Sequence, residues 1–345
     1  MRKRFELAGT SIPAGQRQTV DIPLSMMSDH TPATLSVQAI HGRRDGPVVF
    51  VSAAVHGDEI IGVEIVRRLA RSPALRRVAG TVLLIPIVNS FGFINNSRYL
   101  PDRRDLNRSF PGSAKGSLAA RLADLFLSEV VSRCDYGIDL HSAAVNRINL
   151  PQIRVNPEDK KARELADAFG APIVLHSTLR DGSLRYAASE QGVPVLVYEA
   201  GEGLRFDEFA IRVGMKGVLR VLKHLDMIGG RGVMKSDIPT PVSRKSSWLR
   251  APEGGLLRAL RTVGDIVKVG ETVGFISDPF GERESTVTAT TAGLIVGRTN
   301  LPVVNQGDAL FHVALLPKVE AAESAIGALE EEFVGDPMFD EDEIL

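Results

Sequence analysis

The 345-residue chain contains a single cysteine, Cys134. One thiol cannot form an intramolecular disulfide, and a zinc site built mainly from cysteines is excluded. We expect Cys134 to be a small buried apolar side chain rather than a nucleophile. The sequence also lacks three motifs common in α/β enzymes: the GxSxG nucleophile elbow, the phosphate-binding P-loop and the dinucleotide-binding GxGxxG. Their absence argues against the enzyme classes that these motifs mark.

Long apolar runs and basic clusters are missing as well. No uninterrupted apolar run approaches the ~18 residues of a membrane-spanning helix, and the opening Met-Arg-Lys-Arg is not followed by the apolar segment of a signal peptide. Arginines and lysines are not grouped in blocks interleaved with aromatic residues, which make up only 6% of the chain. We therefore expect a cytoplasmic protein that binds neither a membrane nor a nucleic acid.

The charge is divided unevenly between the body of the chain and its end. The formal net charge is −1, yet residues 318–345 contain ten carboxylates and one lysine. The preceding 317 residues therefore carry a surplus of eight cations. A cationic body attracts anions to a pocket, so this division favours small carboxylate-bearing substrates.

Apolar strands alternate with amphipathic segments from about residue 47 onward. Strands buried on both faces are predicted at 48–55, 81–88, 136–140 and 193–198. Helices with apolar residues at helical spacing are predicted at 60–69, 117–132, 157–169 and 207–225. This alternation is typical of an α/β fold with a mostly parallel sheet and helices on both faces.

Changes in composition divide the chain into five parts. The first 45 residues resemble irregular structure and short strands, and glycines and serines mark a boundary near residue 229. Short segments punctuated by glycine then indicate a small all-β domain. The predicted parts are an N-terminal extension at 1–46, an α/β domain at 47–228, a linker at 229–247, the β-domain at 248–317 and an acidic tail at 318–345.

Polar side chains follow three of the predicted strands. His56 and Glu59 come after the first strand, His141 after the third and Glu199 after the fourth. In open α/β sheets, functional groups collect just past the carboxyl ends of the strands. Two imidazoles and one carboxylate form a catalytic zinc site when a fourth position stays open to water. His56 and Glu59 alone are ordinary at the start of a helix, so the prediction depends on their combination with His141 and Glu199.

Four short motifs occur in the same order as in a known protein family. They are HGDE at 56–59, DLNR at 105–108, DLH at 139–141 and EAG at 199–201. Together they resemble the succinylglutamate desuccinylase/aspartoacylase family of zinc carboxypeptidase-like hydrolases, over roughly residues 47–225. The resemblance implies a zinc-carboxypeptidase-like α/β/α sandwich. It also implies one Zn²⁺ per chain held by His56, Glu59 and His141, with Glu199 as the catalytic carboxylate.

The resemblance assigns substrate contacts to residues in and before the DLNR motif. Asn107 and Arg108 would hold a substrate carboxylate, for which a guanidinium group offers two parallel donors. An arginine farther upstream polarises the scissile carbonyl in this family, and Arg98 is the best match. Arg98 lies two residues farther from Arg108 than the family pattern has it, which makes Arg103 a second candidate.

The predicted β-domain resembles a lipoyl- or biotinyl-like barrel sandwich without an evident lysine acceptor motif. We therefore expect it to be architectural, and the resemblance to the family implies that it narrows access to the zinc site. The resulting prediction is a zinc-dependent hydrolase of a linear amide C–N bond, which deacylates a small N-acyl amino acid or related amine. Two other functions stay open: a metallocarboxypeptidase acting on short peptides, and a non-catalytic zinc-binding protein that retains the fold. An assembly of identical subunits also stays open.

Overall fold

The computed structural model describes residues 2–230, 240–316 and 320–334. The strands are β1 (Phe5–Leu7), β2 (Thr10–Ile12), β3 (Gln16–Met26), β4 (Pro32–His41), β5 (Arg44–Ala53), β6 (Ala79–Ile85), β7 (Tyr136–His141), β8 (Arg147–Val155), β9 (Ile173–His176), β10 (Val195–Gly201), β11 (Val242–Ser243), β12 (Ser246–Arg250), β13 (Gly255–Ala259), β14 (Ile266–Val267), β15 (Thr272–Ser277), β16 (Glu284–Thr288), β17 (Gly293–Thr299), β18 (Val303–Val304) and β19 (Ala309–Ala314). The α-helices are α1 (Ile61–Arg71), α2 (Ser90–Ile94), α3 (Leu118–Glu129), α4 (Lys160–Phe169), α5 (Leu184–Glu190), α6 (Glu208–His224) and α7 (Glu320–Val334). Short 3₁₀ helices span Pro73–Arg76, Leu106–Arg108 and Val131–Arg133.

One large sheet runs through the molecule. Its main path is β12-β19-β17-β8-β10-β7-β5-β6-β4-β3, with β14 paired to β17, β9 to β8 and β11 to β9. The central strands β10, β7, β5 and β6 are parallel, while β8 and β4 flank them in antiparallel orientation. The parallel centre brings the carboxyl ends of β5, β7 and β10 to one edge of the sheet.

Helices cover both faces of these parallel strands. Val49 and Val51 of β5 belong to a core that includes residues of α1, α4 and α6, among them Phe169. Phe50 of the same strand points to the opposite core, where it meets Phe126 of α3 edge to face. Successive residues of a strand alternate between faces, so β5 anchors two separate cores. The predicted α/β/α sandwich is confirmed.

The N-terminal residues form longer strands than the sequence prediction allowed. β3 and β4 make a hairpin of 11 and 10 residues, and β4 continues the large sheet antiparallel to β6. The prediction of short strands is wrong here because Val20, Ile22 and Leu24 alternate with polar residues and are buried on one face only. Pro23 is tolerated because β3 lies at the edge of the sheet, where its register shifts between Pro23 and Ser25.

The C-terminal region is all-β and joins the large sheet directly. Its second sheet has four antiparallel strands in the order β16-β15-β13-β18. A small core that includes Val273, Ile276 and Phe311 lies between strands of the two sheets. β17 pairs with β8 of the α/β region, with Gly297 opposite Asn149. The predicted small β-region is therefore present, and it continues the backbone hydrogen bonding of the α/β sheet.

Two predicted segments lie partly outside the described residues: the linker at 231–239, and the acidic tail at 318–319 and 335–345. The described part of the tail includes α7, whose Ala322 and Ile326 pack with Leu150 and Leu294. The predicted domain boundaries stay predictions. Among the described helices, none combines the length and the hydrophobicity needed to cross a membrane.

Candidate metal centre and active site

His56 and Glu59 lie in the turn that joins β5 to α1. The Glu59 amide donates a hydrogen bond to the His56 carbonyl at 3.1 Å, which closes the turn. Gly57 is required between them because a Cβ there would lie 2.0 Å from the carbonyl carbon of Gly92. Helix α2 therefore packs its backbone against the turn and fixes the positions from which both side chains start.

The remaining strand-end residues come from β7 and β10. β7 ends at His141, and Glu199 of β10 lies beside it in the parallel ladder. On the other side of β7, Leu140 lies beside Ala53, the last residue of β5. The three strand ends therefore bring His56, Glu59, His141 and Glu199 to one edge, as the order of strands and motifs predicts.

Three potential ligand atoms converge in this buried corner. His56 Nδ1 and His141 Nδ1 each lie 2.7 Å from an oxygen of Glu59. One potential ligand atom from each of the three residues lies within 4.8 Å of the other two. His56 Nδ1 is buried, and its short contact with Glu59 lacks the geometry of a hydrogen bond, which suits a nitrogen whose lone pair binds a cation. Two imidazole nitrogens and one carboxylate match the ligand preference of Zn²⁺. The residues present therefore fit the predicted metal.

Carboxylates behind the two histidines hold the rings in place. His56 Nε2 lies 3.1 Å from Asp105 Oδ1, and His141 Nε2 lies 2.6 Å from Asp139 Oδ2. The other Asp139 oxygen accepts a hydrogen bond from Ser52 Oγ at 2.8 Å. A carboxylate on the far nitrogen of a histidine fixes its tautomer and turns the near nitrogen to the metal. Asp105 and Asp139 lie within the DLNR and DLH motifs, but no role was predicted for them from the sequence.

Charges within this cluster shift its proton affinities. Burial disfavours the protonated imidazole of His141, yet Asp139 and Glu59 raise its pKa well above the ordinary value. The same competition, with Glu59 and Asp105 as the carboxylates, raises the pKa of His56. Burial also disfavours ionised Glu59, but the two imidazoles hold the pKa of its carboxyl well below the usual range. The cluster thus stabilises positive charge next to Glu59.

Arg98 lies at the metal ligands, whereas Arg103 does not. The Arg98 guanidinium donates to Glu59 Oε1 at 3.1 Å and, through two nitrogens, to Asp105 Oδ2 at 3.0 and 3.2 Å. Arg103 is exposed and does not line the cavity. Residues 101–104 form a turn, closed by hydrogen bonds between Leu100 and residues 103 and 104. The two extra residues are accommodated in this turn, so they do not move Arg98 away from the site.

Asn107 and Arg108 lie on the 3₁₀ helix that begins after Asp105. Asp105 Oδ1 accepts from the Asn107 amide at 2.8 Å, which caps this helix. The side-chain oxygen of Asn107 accepts from the backbone of Leu184 at 2.9 Å and so holds the start of α5. Both Asn107 and Arg108 line the cavity.

The cavity has a volume of about 680 Å³, and Glu199 lies in its wall. Glu199 Oε2 accepts a hydrogen bond from Asn149 Nδ2 at 3.1 Å, and its other oxygen lies 3.7 Å from Arg154 Nε. Of the predicted site residues, only Arg103 is absent from the lining. Trp248 of the C-terminal region also faces the cavity, stacked on His312 at 4.6 Å with Arg147 over its ring.

Arginines dominate the described wall of the cavity. Seven contribute to it: Arg98, Arg108, Arg147, Arg154, Arg180, Arg185 and Arg298. Burial and the charge of Arg154 lower the pKa of Arg185 to about 10, so it remains a cation at neutral pH. Nη1 of Arg185 is buried without a hydrogen-bond partner. Five of the seven were missed by sequence reasoning, because they belong to no motif and the surplus of cations gave only the sign of the charge.

Comparison with known proteins agrees with the geometry. Residues 45–225 match the family model described as the succinylglutamate desuccinylase/aspartoacylase catalytic domain. The chain therefore belongs to this family of deacylases. N-α-acetyl-L-2,4-diaminobutyric acid deacetylase from Halomonas elongata is 25% identical over 311 residues, which cover 87% of this chain and 91% of that protein. Succinylglutamate desuccinylase from Burkholderia orbicola is 29% identical over 175 residues, or 45% of this chain and 49% of that protein.

Solved structures share most of this architecture. The crystal structure of a succinylglutamate desuccinylase/aspartoacylase from Rhodobacter sphaeroides has a TM-score of 0.75 at 27% identity and covers 86% of this chain and 95% of its own. The product-bound ectoine utilization protein EutE (DoeB) from Ruegeria pomeroyi has a TM-score of 0.77 at 23% identity, with 87% and 95% covered. The second similarity concerns the fold alone. Both extend the likeness beyond the catalytic region into the C-terminal β-strands.

Proposed function

We propose that the protein is a zinc-dependent amidohydrolase that removes the acyl group from a small N-acyl amino acid bearing carboxylates. The observation that carries the proposal is the buried set of His56, Glu59 and His141 beside Glu199, at the wall of an arginine-lined cavity. Zinc held by the three ligands would polarise the amide carbonyl and lower the pKa of a bound water from ~15.7 to about 7.

The surrounding side chains divide the remaining work. Glu199 takes a proton from the attacking water and returns it to the leaving nitrogen. Arg98, which is hydrogen-bonded to the ligand Glu59, donates to the oxygen that becomes negative as the carbonyl carbon turns tetrahedral. One such donor contributes about 10²- to 10³-fold to kcat. Asn107 and Arg108 hold a substrate carboxylate and so orient the amide.

The charge of the cavity favours anionic substrates over diamino acids. Arg98 is neutralised by Glu59 and Asp105, whereas Arg185 has a buried nitrogen without a hydrogen-bond partner. Arg154 lies 3.7 Å from Glu199, but its Nε makes no hydrogen bond. An arginine in a partly buried cavity is stabilised by an anion that pairs with it. A free ammonium group, as in N-acetyl-2,4-diaminobutyrate, would add another cation to this wall. We therefore place the substrate nearer to the dicarboxylates than to the diamino acid named for the relative from Halomonas elongata.

A substrate panel tests this function. The zinc content of the purified protein is measured, and acyl release is followed on N-acetyl-aspartate, N-acetyl-glutamate, N-succinyl-glutamate and N-acetyl-2,4-diaminobutyrate. We expect turnover that chelation abolishes and zinc restores, with the dicarboxylates ahead. Glu199→Gln should retain zinc and lose turnover. A zinc-replete protein inert on the whole panel, or near-normal turnover by Glu199→Gln, would refute the proposal.

A metallocarboxypeptidase activity is tested in the same assay with short peptides. Trp248 and Arg298 of the C-terminal region line the cavity and take up space that a polypeptide would need, which favours small substrates. A protein that binds zinc without catalysis is the outcome if every compound fails. The cytoplasmic location and an assembly of identical subunits remain predictions.

A further inference from the structure

Three neighbouring strands connect the C-terminal region to Glu199. Glu199 lies on β10, and Asn149 on the adjacent strand β8 pairs with Gly201 across a register shift that follows Glu199. On its other side, Asn149 pairs with Gly297 of β17. An irregularity in a ladder re-aims the side chains beside it. Asn149 therefore stands between the candidate catalytic carboxylate and the C-terminal strands.

Among the described residues, only Asn149 donates a side-chain hydrogen bond to the Glu199 carboxylate. Its Nδ2 donates to Glu199 Oε2 at 3.1 Å, and Asn149 is only 9% exposed. Arg154 Nε lies 3.7 Å from the other Glu199 oxygen but has no hydrogen-bond partner. Without Asn149, rotation of the carboxylate toward Arg154 would form a closer ion pair. Asn149 thus opposes a competing orientation in which Glu199 turns to the arginine.

Gly297 gives the Asn149 side chain its space. A Cβ at Gly297 would lie 2.8 Å from Asn149 Oδ1, closer than real Cβ contacts allow, and 3.4 Å from the carbonyl of Ile148. The first of these atoms is the end of a side chain, so an added methyl group can be accommodated by moving the Asn149 amide. The absence of a side chain at Gly297 thus leaves room for the Asn149 amide in the position from which it donates to Glu199.

We propose that Asn149 is a positioning residue that orients the Glu199 carboxylate, and that Gly297 of the C-terminal region keeps Asn149 in that position. The inference rests on the proposed role of Glu199. It gives the C-terminal β-region a part in the chemistry beyond narrowing access, because a strand of that region determines where a residue of β8 directs its amide.

Kinetics of two variants of Asn149 test the proposal. Asn149→Leu keeps nearly the same shape, adds no charge and loses the donor, and Asn149→Ala removes the whole amide. We expect both to lower kcat by about tenfold to a hundredfold, the effect of one hydrogen bond to a charged group, with KM and zinc content unchanged. Asn305→Ala is the matched control, because Asn305 is exposed and does not line the cavity. A loss confined to KM, a loss of zinc, or wild-type kcat would overturn the inference.

Gly297→Ala tests whether Gly297 keeps Asn149 in position. It should lower kcat in the same direction, and in an Asn149→Ala background it should cause no further loss, because both changes act through one hydrogen bond. Gly254→Ala is the control, since a Cβ there would make only ordinary contacts from 3.5 Å outward. Additive losses would show that Gly297 acts otherwise. Glu199→Gln distinguishes failure of the proposed function from failure of this inference. Normal turnover by Glu199→Gln would refute the proposed function. An inactive Glu199→Gln together with a fully active Asn149→Ala would refute only this inference.

Discussion

Replacement of Asp139 by asparagine should weaken zinc binding without unfolding the protein. Asp139 is 1% exposed, its Oδ2 lies 2.6 Å from His141 Nε2, and its Oδ1 accepts from Ser52 at 2.8 Å. Asparagine has the same shape and one acceptor oxygen, but it carries no charge and adds two donors. It can serve His141 or Ser52 with that oxygen, not both. The substitution therefore keeps the packing of β7 and weakens the contact that orients the His141 ring.

The expected size of the effect follows from these two contacts. Partners behind a metal-ligating histidine contribute about 10- to 100-fold in metal affinity, or about 1.4–2.7 kcal/mol. The contact from His141 to Asp139 is short and buried, so we expect a loss near the upper end. Ser52→Ala leaves that contact in place and removes one neutral donor, worth about 1 kcal/mol or roughly fivefold. The predicted order of loss is Ser52→Ala, then Asp139→Asn, then His141→Ala.

Equilibrium competition with a chelator measures the zinc affinity of each variant, and thermal unfolding of the metal-free proteins checks that they fold. Asp45→Asn is the control for the loss of a carboxylate, since the Asp45 side chain is 94% exposed. The reasoning fails if Asp139→Asn binds zinc within threefold of the wild type. It also fails if Ser52→Ala loses more affinity than Asp139→Asn, because the orienting effect would then not act through the contact with His141.

Three further predictions concern the cavity and the core. Arg98→Met should lower kcat by about 10²- to 10³-fold while Arg103→Met leaves it near normal; the reverse result in the deacylation assay would assign the carbonyl contact to Arg103. Trp248 is the only tryptophan of the chain, so its intrinsic fluorescence in the inactive Glu199→Gln variant should change when that variant is saturated with substrate. An unchanged spectrum at saturation would show that Trp248 is not part of the substrate site. Cys134 is 7% exposed and burial raises the pKa of its thiol well above the usual value, so a thiol reagent should label it only after denaturation; rapid labelling of the native protein would contradict this.

The metal-binding corner could be predicted because strand order alone brings its residues together. His141 and Glu199 lie opposite each other near the carboxyl ends of neighbouring parallel strands, so the sheet brings them side by side whatever the loops do. The buried Cys134 and the two-faced sandwich followed from local hydrophobicity in the same way. Predicted helix ends were less secure: α4 starts at Lys160 rather than at Pro157, because the Asp159 side chain accepts from the amide of Ala162 and caps the helix there.

The other half of the site depends on contacts that no local pattern marks. Asn149 and Gly297 meet only because β17 pairs with β8, and an amide or a glycine looks the same in sequence whether or not it faces a catalytic group. The arginines of the cavity wall could not be identified from the sequence either, since an exposed arginine is ordinary at any protein surface. Their shared position became evident only when the sheet continued from the α/β region into the C-terminal strands.

Because the sheet continues into the C-terminal strands, the cavity is lined both by residues that motifs identify and by residues that no motif marks. The residues proposed for bond cleavage lie within 45–225, the range matched by the family model. Trp248 and Arg298 lie outside it and still line the same cavity. Changes in the C-terminal strands can therefore reshape the pocket for another acyl group while the metal ligands stay the same. We therefore expect substrate preference to depend on the arginines that both regions contribute to the cavity, and not on the motifs of the matched range alone.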